Sequence, residues 1–289
     1  MSATIAGLRK TIGSAEDLHS VVRTMKALAA SSITQYEQAV VALDDYVHNV
    51  QLGLGLCLRS ETGTVIEPTP TRGAAAVVVF GSDQGLVGRF NAVVAEHAIA
   101  MLADTPGARV FAVGERAKEP LEDAGLVIAG MLAVPLSVDG IVPLVGEILR
   151  AYEAGLDRGE FNALHLVYNK PVVGVVYEPV SEKLLPLDES WRGDQSLTNW
   201  PTGRLPEVIG DVRETLSGFV REFLFVSLFR ACAASLASEN ASRLAAMQRA
   251  DKNIETLLED LNAKFHRLRQ ERIDEELFDV VAGYEALTQ

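Results

Sequence analysis

The residues best placed to do chemistry lie in a glycine-rich turn, Gly81-Ser82-Asp83-Gln84-Gly85-Leu86-Val87-Gly88-Arg89-Phe90-Asn91. The turn follows a short β-branched run, Ala75-Ala76-Val77-Val78-Val79-Phe80, and precedes a helical pattern, which is where parallel-sheet proteins bind phosphate. A dinucleotide fingerprint needs glycines spaced two and then three apart. Here Gly81, Gly85 and Gly88 are spaced four and then three, and the Gly-Lys-Ser/Thr ending of a P-loop is missing. The spacing instead predicts a tight turn whose tip approaches another surface. Other reactive types are scattered. His19, His48, His97, His165 and His266 show no i, i+4 pairing, so no metal site is expected from them. Cys57 and Cys232 sit inside apolar helical patterns, as buried thiols of a reducing compartment do. No Gly-x-Ser-x-Gly elbow and no Cys/His pair at a recognisable spacing occurs, and Asp44-Asp45, Glu259-Asp260 and Glu275-Glu276 read as solvated helix charges. No catalytic residue, cofactor or metal is expected.

Proline marks the elements that hold this turn, because it cannot sit inside a helix without losing a hydrogen bond. All 11 prolines fall between Pro68 and Pro206. Three segments are therefore expected: helix over 1–67, an α/β domain with linker over 68–206, and helix over 207–289. Steps of four and three through the first segment give Leu8, Ile12, Ala15, His19, Val22, Lys26, Ala29, Ile33, Tyr36, Val40, Leu43, Val47, Val50, Leu54 and Cys57. The last segment gives Leu216, Phe219, Phe223, Val226, Arg230, Ala233, Ala237, Asn240, Leu244, Met247, Asp251, Ile254, Leu258, Leu261, Phe265 and Leu268, then slips by one residue to Ile273, Leu277, Val280, Tyr284 and Leu287. Apolar residues sustained at this repeat predict a coiled coil. His19, Lys26, Arg230, Asn240 and Asp251 interrupt the seam, and polar residues there set register. At 1.5 Å per residue the first helix reaches roughly 80 Å and the last roughly 120 Å, so the last overhangs by about 20 residues. An apolar stripe with no partner in its own chain is a binding surface.

Between the helices, strands are expected at Ala75 to Phe80, Arg109 to Val113, Leu126 to Ile128, Ala163 to Tyr168 and Val172 to Tyr177. Helices are expected at Phe90 to Leu102, Glu115 to Ala124 and Val138 to Tyr152. This alternation predicts a mainly parallel sheet with helices on its faces. A net charge of −13 excludes a partner held through phosphates, so no nucleic-acid binding is expected. Hydrophobic residues make up 48% of the chain, but the longest apolar stretches fall far short of the ~20 residues a membrane span needs. The N-terminus carries neither a basic-then-apolar leader nor an Arg-rich presequence, which points to a bacterial cytoplasmic protein.

Three stretches resemble the gamma subunit of F-type ATP synthases: Met25-Lys26-Ala27-Leu28-Ala29-Ala30, the turn Ser82 to Asn91, and the C-terminal run Ser238-Glu239-Asn240-Ala241-Ser242-Arg243 through Met247, Leu258, Arg269-Gln270-Glu271-Arg272-Ile273 and Glu276 to Leu287. They occur in the family's order along the whole chain. The resemblance implies an antiparallel coiled coil of the two end helices with an inserted Rossmann-like α/β domain. It further implies a non-catalytic rotor shaft that carries torque between a membrane c ring and a catalytic ring of alpha and beta subunits, with epsilon beside it. The shaft would lie on the cytoplasmic face of the bacterial membrane and be held there only through the complex. Subunit contact and coupling are implied for Met25, Lys26, Asp83, Gln84, Arg89, Arg243, Arg269, Gln270, Asp274 and Glu276. The chain departs from the family where no Lys or Arg occurs from Ala27 to Leu58, where Asp274 replaces a common Thr, and where Ala282-Gly283 replaces a Gly-Gly pair. These departures suggest a divergent branch. The alternative reading is a nucleotide-binding enzyme or regulator that dimerises through its helices, and a third is a coiled-coil scaffold.

Overall fold

The computed structural model describes residues 4–60, 73–172, 174–187 and 206–287. The first helical segment forms α1 (Ile5–Ala42) and α2 (Asp44–Ser60). One continuous helix was expected, but the chain tightens at Leu43, whose N–H reaches back only three residues to the Val40 carbonyl at 3.1 Å. Asp44 and Asp45 then open α2, where the helix dipole favours negative charge. The last helix, α6 (Val212–Leu287), runs for 76 residues. Asp211 caps it, its carboxylate accepting from the Arg213 N–H at 2.7 Å and the Glu214 N–H at 3.3 Å.

The intervening elements are β1 (Ala74–Phe80), α3 (Phe90–Leu102), β2 (Arg109–Val113), α4 (Glu115–Asp123), β3 (Val127–Leu132), a 3-10 turn at Val138–Gly140, α5 (Ile141–Asp157), β4 (Phe161–Val172) and β5 (Val175–Leu185). The sheet order is β3-β2-β1-β4-β5. β1 pairs in parallel with β2 and β4, and β2 with β3, whereas β4 and β5 form an antiparallel hairpin. The last strand is longer than its sequence suggests, because Glu178, Ser181, Glu182 and Lys183 leave it without an apolar run. β3 likewise extends past Gly130 to Leu132.

Both faces of β1 are buried, as the unbroken apolar run requires of a central parallel strand. Ala76, Val78 and Phe80 point to one core, which they share with Leu54, Ile148, Leu166 and Leu228. Ala75, Val77 and Val79 point to the other, under α3 and α4 with Val94, Ala98 and Leu121. The alternation is the two-residue period of a strand.

The chain divides into two compact units, Met1–Ala29 with Arg243–Gln289, and Ala30–Ser242. The second holds the sheet and both of these cores. The first is a helix pair, in which Leu8 and Ala15 pack with Leu261 while Val22 packs with Met247 and Ile254. Rising numbers on α1 meet falling numbers on α6, so the pair is antiparallel. Arg9 stacks over the Phe265 ring at 5.6 Å near the outer end. From Arg269 to Ala282 every residue of α6 is exposed, including Ile273, Leu277, Phe278 and Val280. The expected overhang is present.

Candidate functional site

In the sheet-bearing unit the glycine turn is built from its own side chains. The Ser82 N–H donates to Asn91 Oδ1 at 2.9 Å, Asn91 Nδ2 donates to Ser82 Oγ at 2.8 Å, and Ser82 Oγ donates to the Gln84 carbonyl at 2.9 Å. Asp83 accepts the Glu115 N–H at 3.0 Å on one oxygen and the Val134 N–H at 2.8 Å on the other. Its carboxylate thus stands at the N-terminus of α4, the place an anionic ligand would take. A Cβ at Gly81 would lie 2.4 Å from that of Ala117, and one at Gly114, whose φ is +95°, would lie 2.7 Å from the Ser82 backbone. The glycines therefore serve close packing between the turn and α4.

The far end of the turn docks on α6. Ser242 Oγ donates to the Val87 carbonyl at 2.5 Å, Ser238 Oγ to the Asn169 carbonyl at 3.0 Å, and Asn169 Nδ2 to the Phe90 carbonyl at 3.0 Å. This fixes the turn against the helix and leaves its tip outward. Leu86, at φ +62° and 62% exposed, is that tip. Gln84 is exposed, and Arg89 is exposed and paired with Glu96 at 3.0 Å.

In the helix pair, Met25 is half-buried beside Val22 and Met247, and Arg243 is half-buried. Lys26 Nζ donates to Asp251 Oδ2 at 2.5 Å, and His19 Nε2 lies 2.9 Å from Asp251 Oδ1. The Lys26 ammonium holds the Asp251 carboxyl below the ordinary aspartate range, against the opposing effect of burial and with help from His19. Arg269, Gln270, Asp274 and Glu276 lie on the exposed end of α6, where Arg272 pairs with Glu276 at 3.1 Å. Of the residues singled out by resemblance, Lys26 gains a cross-helix partner and Asp83 is engaged within its own unit. Glu255 and Arg23 join the Asp251 cluster unforeseen. The signal was available: each lies four residues from a polar seam position, Asp251 and His19 respectively.

Cys57 and Cys232 are buried in the core, and burial pushes the Cys232 thiol far up, so it is a poor nucleophile. Among the described residues no helix is long and apolar enough to cross a membrane.

A family model described as ATP synthase matches residues 4–287. The chain belongs to the gamma-subunit family of F-type ATP synthases. Relatives named ATP synthase gamma chain include one from Salinibacter ruber, 28% identical with 99% of each chain covered. Another, from Paramagnetospirillum magneticum, is also 28% identical over 99% of this chain and 100% of its own. Among solved structures, the rotor of Euglena gracilis mitochondrial ATP synthase matches with a TM-score of 0.61 at 14% identity, covering 94% of this chain and 100% of that one. The central stalk and c-ring structure from Tetrahymena thermophila contains a chain matching with a TM-score of 0.56 at 18% identity, covering 80% of this chain and 99% of that one. These structures share the gamma-family fold of long end helices around an α/β domain. The family's gamma subunit is a peripheral part of a membrane complex.

Proposed function

We propose that this chain is the non-catalytic shaft of a bacterial rotary ATP synthase, on the cytoplasmic face of the membrane. It transmits torque between a c ring and a ring of alternating alpha and beta subunits, with epsilon beside it. The observation that carries the reading is the end of α6. A helix continuing through Arg269 to Leu287 with Ile273, Leu277 and Val280 exposed on one side has an apolar face that its own chain leaves to solvent. A sleeve formed by other subunits supplies the missing partner. Arg269, Gln270, Asp274 and Glu276 share that helix end and are placed to contact the sleeve, while Met25, Lys26 and Arg243 belong to the helix pair below it. Gln84 and Arg89 flank the outward tip of the turn, and Asp83 holds that tip in shape. In this division, segment 1–67 contains α1 and α2, segment 68–206 the α/β domain, and segment 207–289 contains α6.

The Asp83 carboxylate at the N-terminus of α4 disfavours a nucleotide at the turn, since it fills the anion's place with the chain's own charge. Co-expression with alpha and beta subunits tests the reading. The intact chain is expected to co-purify with both and support coupled ATP hydrolysis, and removal of residues 273–289 to weaken coupling while the remaining chain stays folded. Recovery of the intact chain alone, with no alpha or beta subunits attached, overturns it.

A further inference from the structure

His19 on α1 and the pair Asp251 and Glu255 on α6 bring three metal-ligating atoms together. His19 Nε2 lies 2.9 Å from Asp251 Oδ1 and 3.7 Å from Glu255 Oε1, and the three atoms fall within 4.8 Å of one another. Asp251 and Glu255 are one helical turn apart, so both carboxylates leave α6 on the same face. A tetrahedral ion with bonds of about 2.1 Å holds its ligands about 3.4 Å apart, which this triangle approaches with small side-chain adjustments. The neighbouring cations are arranged unequally. Lys26 binds the other oxygen of Asp251, Oδ2, and so orients the carboxylate as an outer partner does, with Oδ1 turned to His19, whose hydrogen bond an ion between them would replace. Arg23 stands over the open side, its Nε 3.9 Å from Asp251 Oδ1 and its Nη2 3.8 Å from Glu255 Oε1. Its side chain is 63% exposed, and its stem is free to swing into water.

We propose that His19, Asp251 and Glu255 form a binding site for a divalent transition metal of the zinc class, bridging α1 and α6. One imidazole with two carboxylates and an open fourth position for water is a donor set that selects zinc-like ions over magnesium or calcium. Coordination requires Nε2 free of its proton; the neutral imidazole meets this by carrying its proton on Nδ1, and only an imidazolium releases one to solvent. The ligands come from opposite ends of the chain, so the ion ties the helix pair and stabilises it by mass action. The site stands independently of the rotary function.

The test uses the full chain, stripped with a chelator and titrated with Zn2+ by calorimetry and with Co2+ by visible absorption. One saturable ion per chain is expected, with a rise in the melting temperature. His19→Gln and Glu255→Gln are each expected to weaken binding at least about tenfold, as loss of a ligand or its orienting partner does elsewhere. Arg23→Gln removes no ligand and a competing cation, and is expected to tighten binding several-fold. Absence of saturable binding, or affinity unchanged by His19→Gln, overturns the site and assigns any bound zinc to His48, His97, His165 or His266. If His19→Gln fails to fold, Arg23→Gln decides, because unaltered affinity in that variant also overturns the proposal.

Discussion

The two compact units bury their seams by different means. In the sheet-bearing unit the fully buried side chains include large ones, Phe80, Phe90, Leu54, Ile148 and Leu228, and beneath α6 Ser238 and Asn169 each donate a hydrogen bond while the buried Asn169 Oδ1 accepts none from the described residues. In the helix pair the most buried α1 positions are Leu8, Ala15, Val22 and Ala29, two of them alanines, and the level between Ala15 and Val22 is held by a charged cluster around Asp251. Buried apolar area contributes about 0.8 kcal/mol per methylene, so small side chains supply little of it. Volume fixes the first unit. Polar matching across a thin seam fixes the second, which makes it easier to deform.

The sharpest way to break that contrast is to empty a core position. Leu228 on α6 is fully shielded in the sheet-bearing unit, and Leu228→Ala is expected to cost about 3–4 kcal/mol, measured as a loss of urea midpoint. Ile254→Ala in the helix pair, which likewise removes three carbons, is expected to cost about 2 kcal/mol, with hydrogen exchange quickening in the helix pair more than in the sheet. Equal losses would mean that the thin seam carries as much packing energy as the core.

A smaller effect separates a positioning role for the turn from a contact role. Asp83→Ala leaves the Glu115 and Val134 amides without their carboxylate and is expected to destabilise the isolated chain by about 1–2 kcal/mol. Asp83→Asn is expected to recover part of this, because an amide oxygen still accepts one of the two bonds. A loss confined to the assembled complex would make Asp83 a contact residue instead.

The helix pair was the most legible part of the sequence, since its 3.5-residue repeat is a one-dimensional signal and every seam position from Leu244 to Leu268 is at least half-buried. The break at Leu43 was not legible, because its leucine keeps the repeat intact while the backbone tightens. Strand β5 was foreshortened for a related reason. It is an edge strand facing water, so its Glu and Lys residues erase the alternation that marks a half-buried strand. In the turn, the glycine spacing excluded a phosphate loop, but the purpose of Asp83 depended on bringing residues 83, 115 and 134 together, which no local pattern records. The cluster at Asp251 was half visible. Its seam members stood out as polar interruptions, whereas Glu255 and Arg23 resembled ordinary surface charges until the helices were paired.

The smallest effect expected in the isolated chain is at the end of α6, and there a null result is informative. Leu277 is 61% exposed and Val280 is 70% exposed, so neither contributes buried area within its own chain. Replacing both with Gln is therefore expected to leave the melting temperature of the isolated chain unchanged, within the roughly 0.5 kcal/mol typical of surface changes. The same variant is expected to lose affinity for the alpha and beta subunits, since two apolar side chains that bury on assembly contribute about 1.5–3 kcal/mol each. A destabilised isolated chain would show that the stripe packs within its own molecule, and the helix pair would then extend further along α6 than its seam. An unchanged chain with unchanged assembly would move the bearing surface to the opposite side of the same helix, toward Glu271 and Glu275.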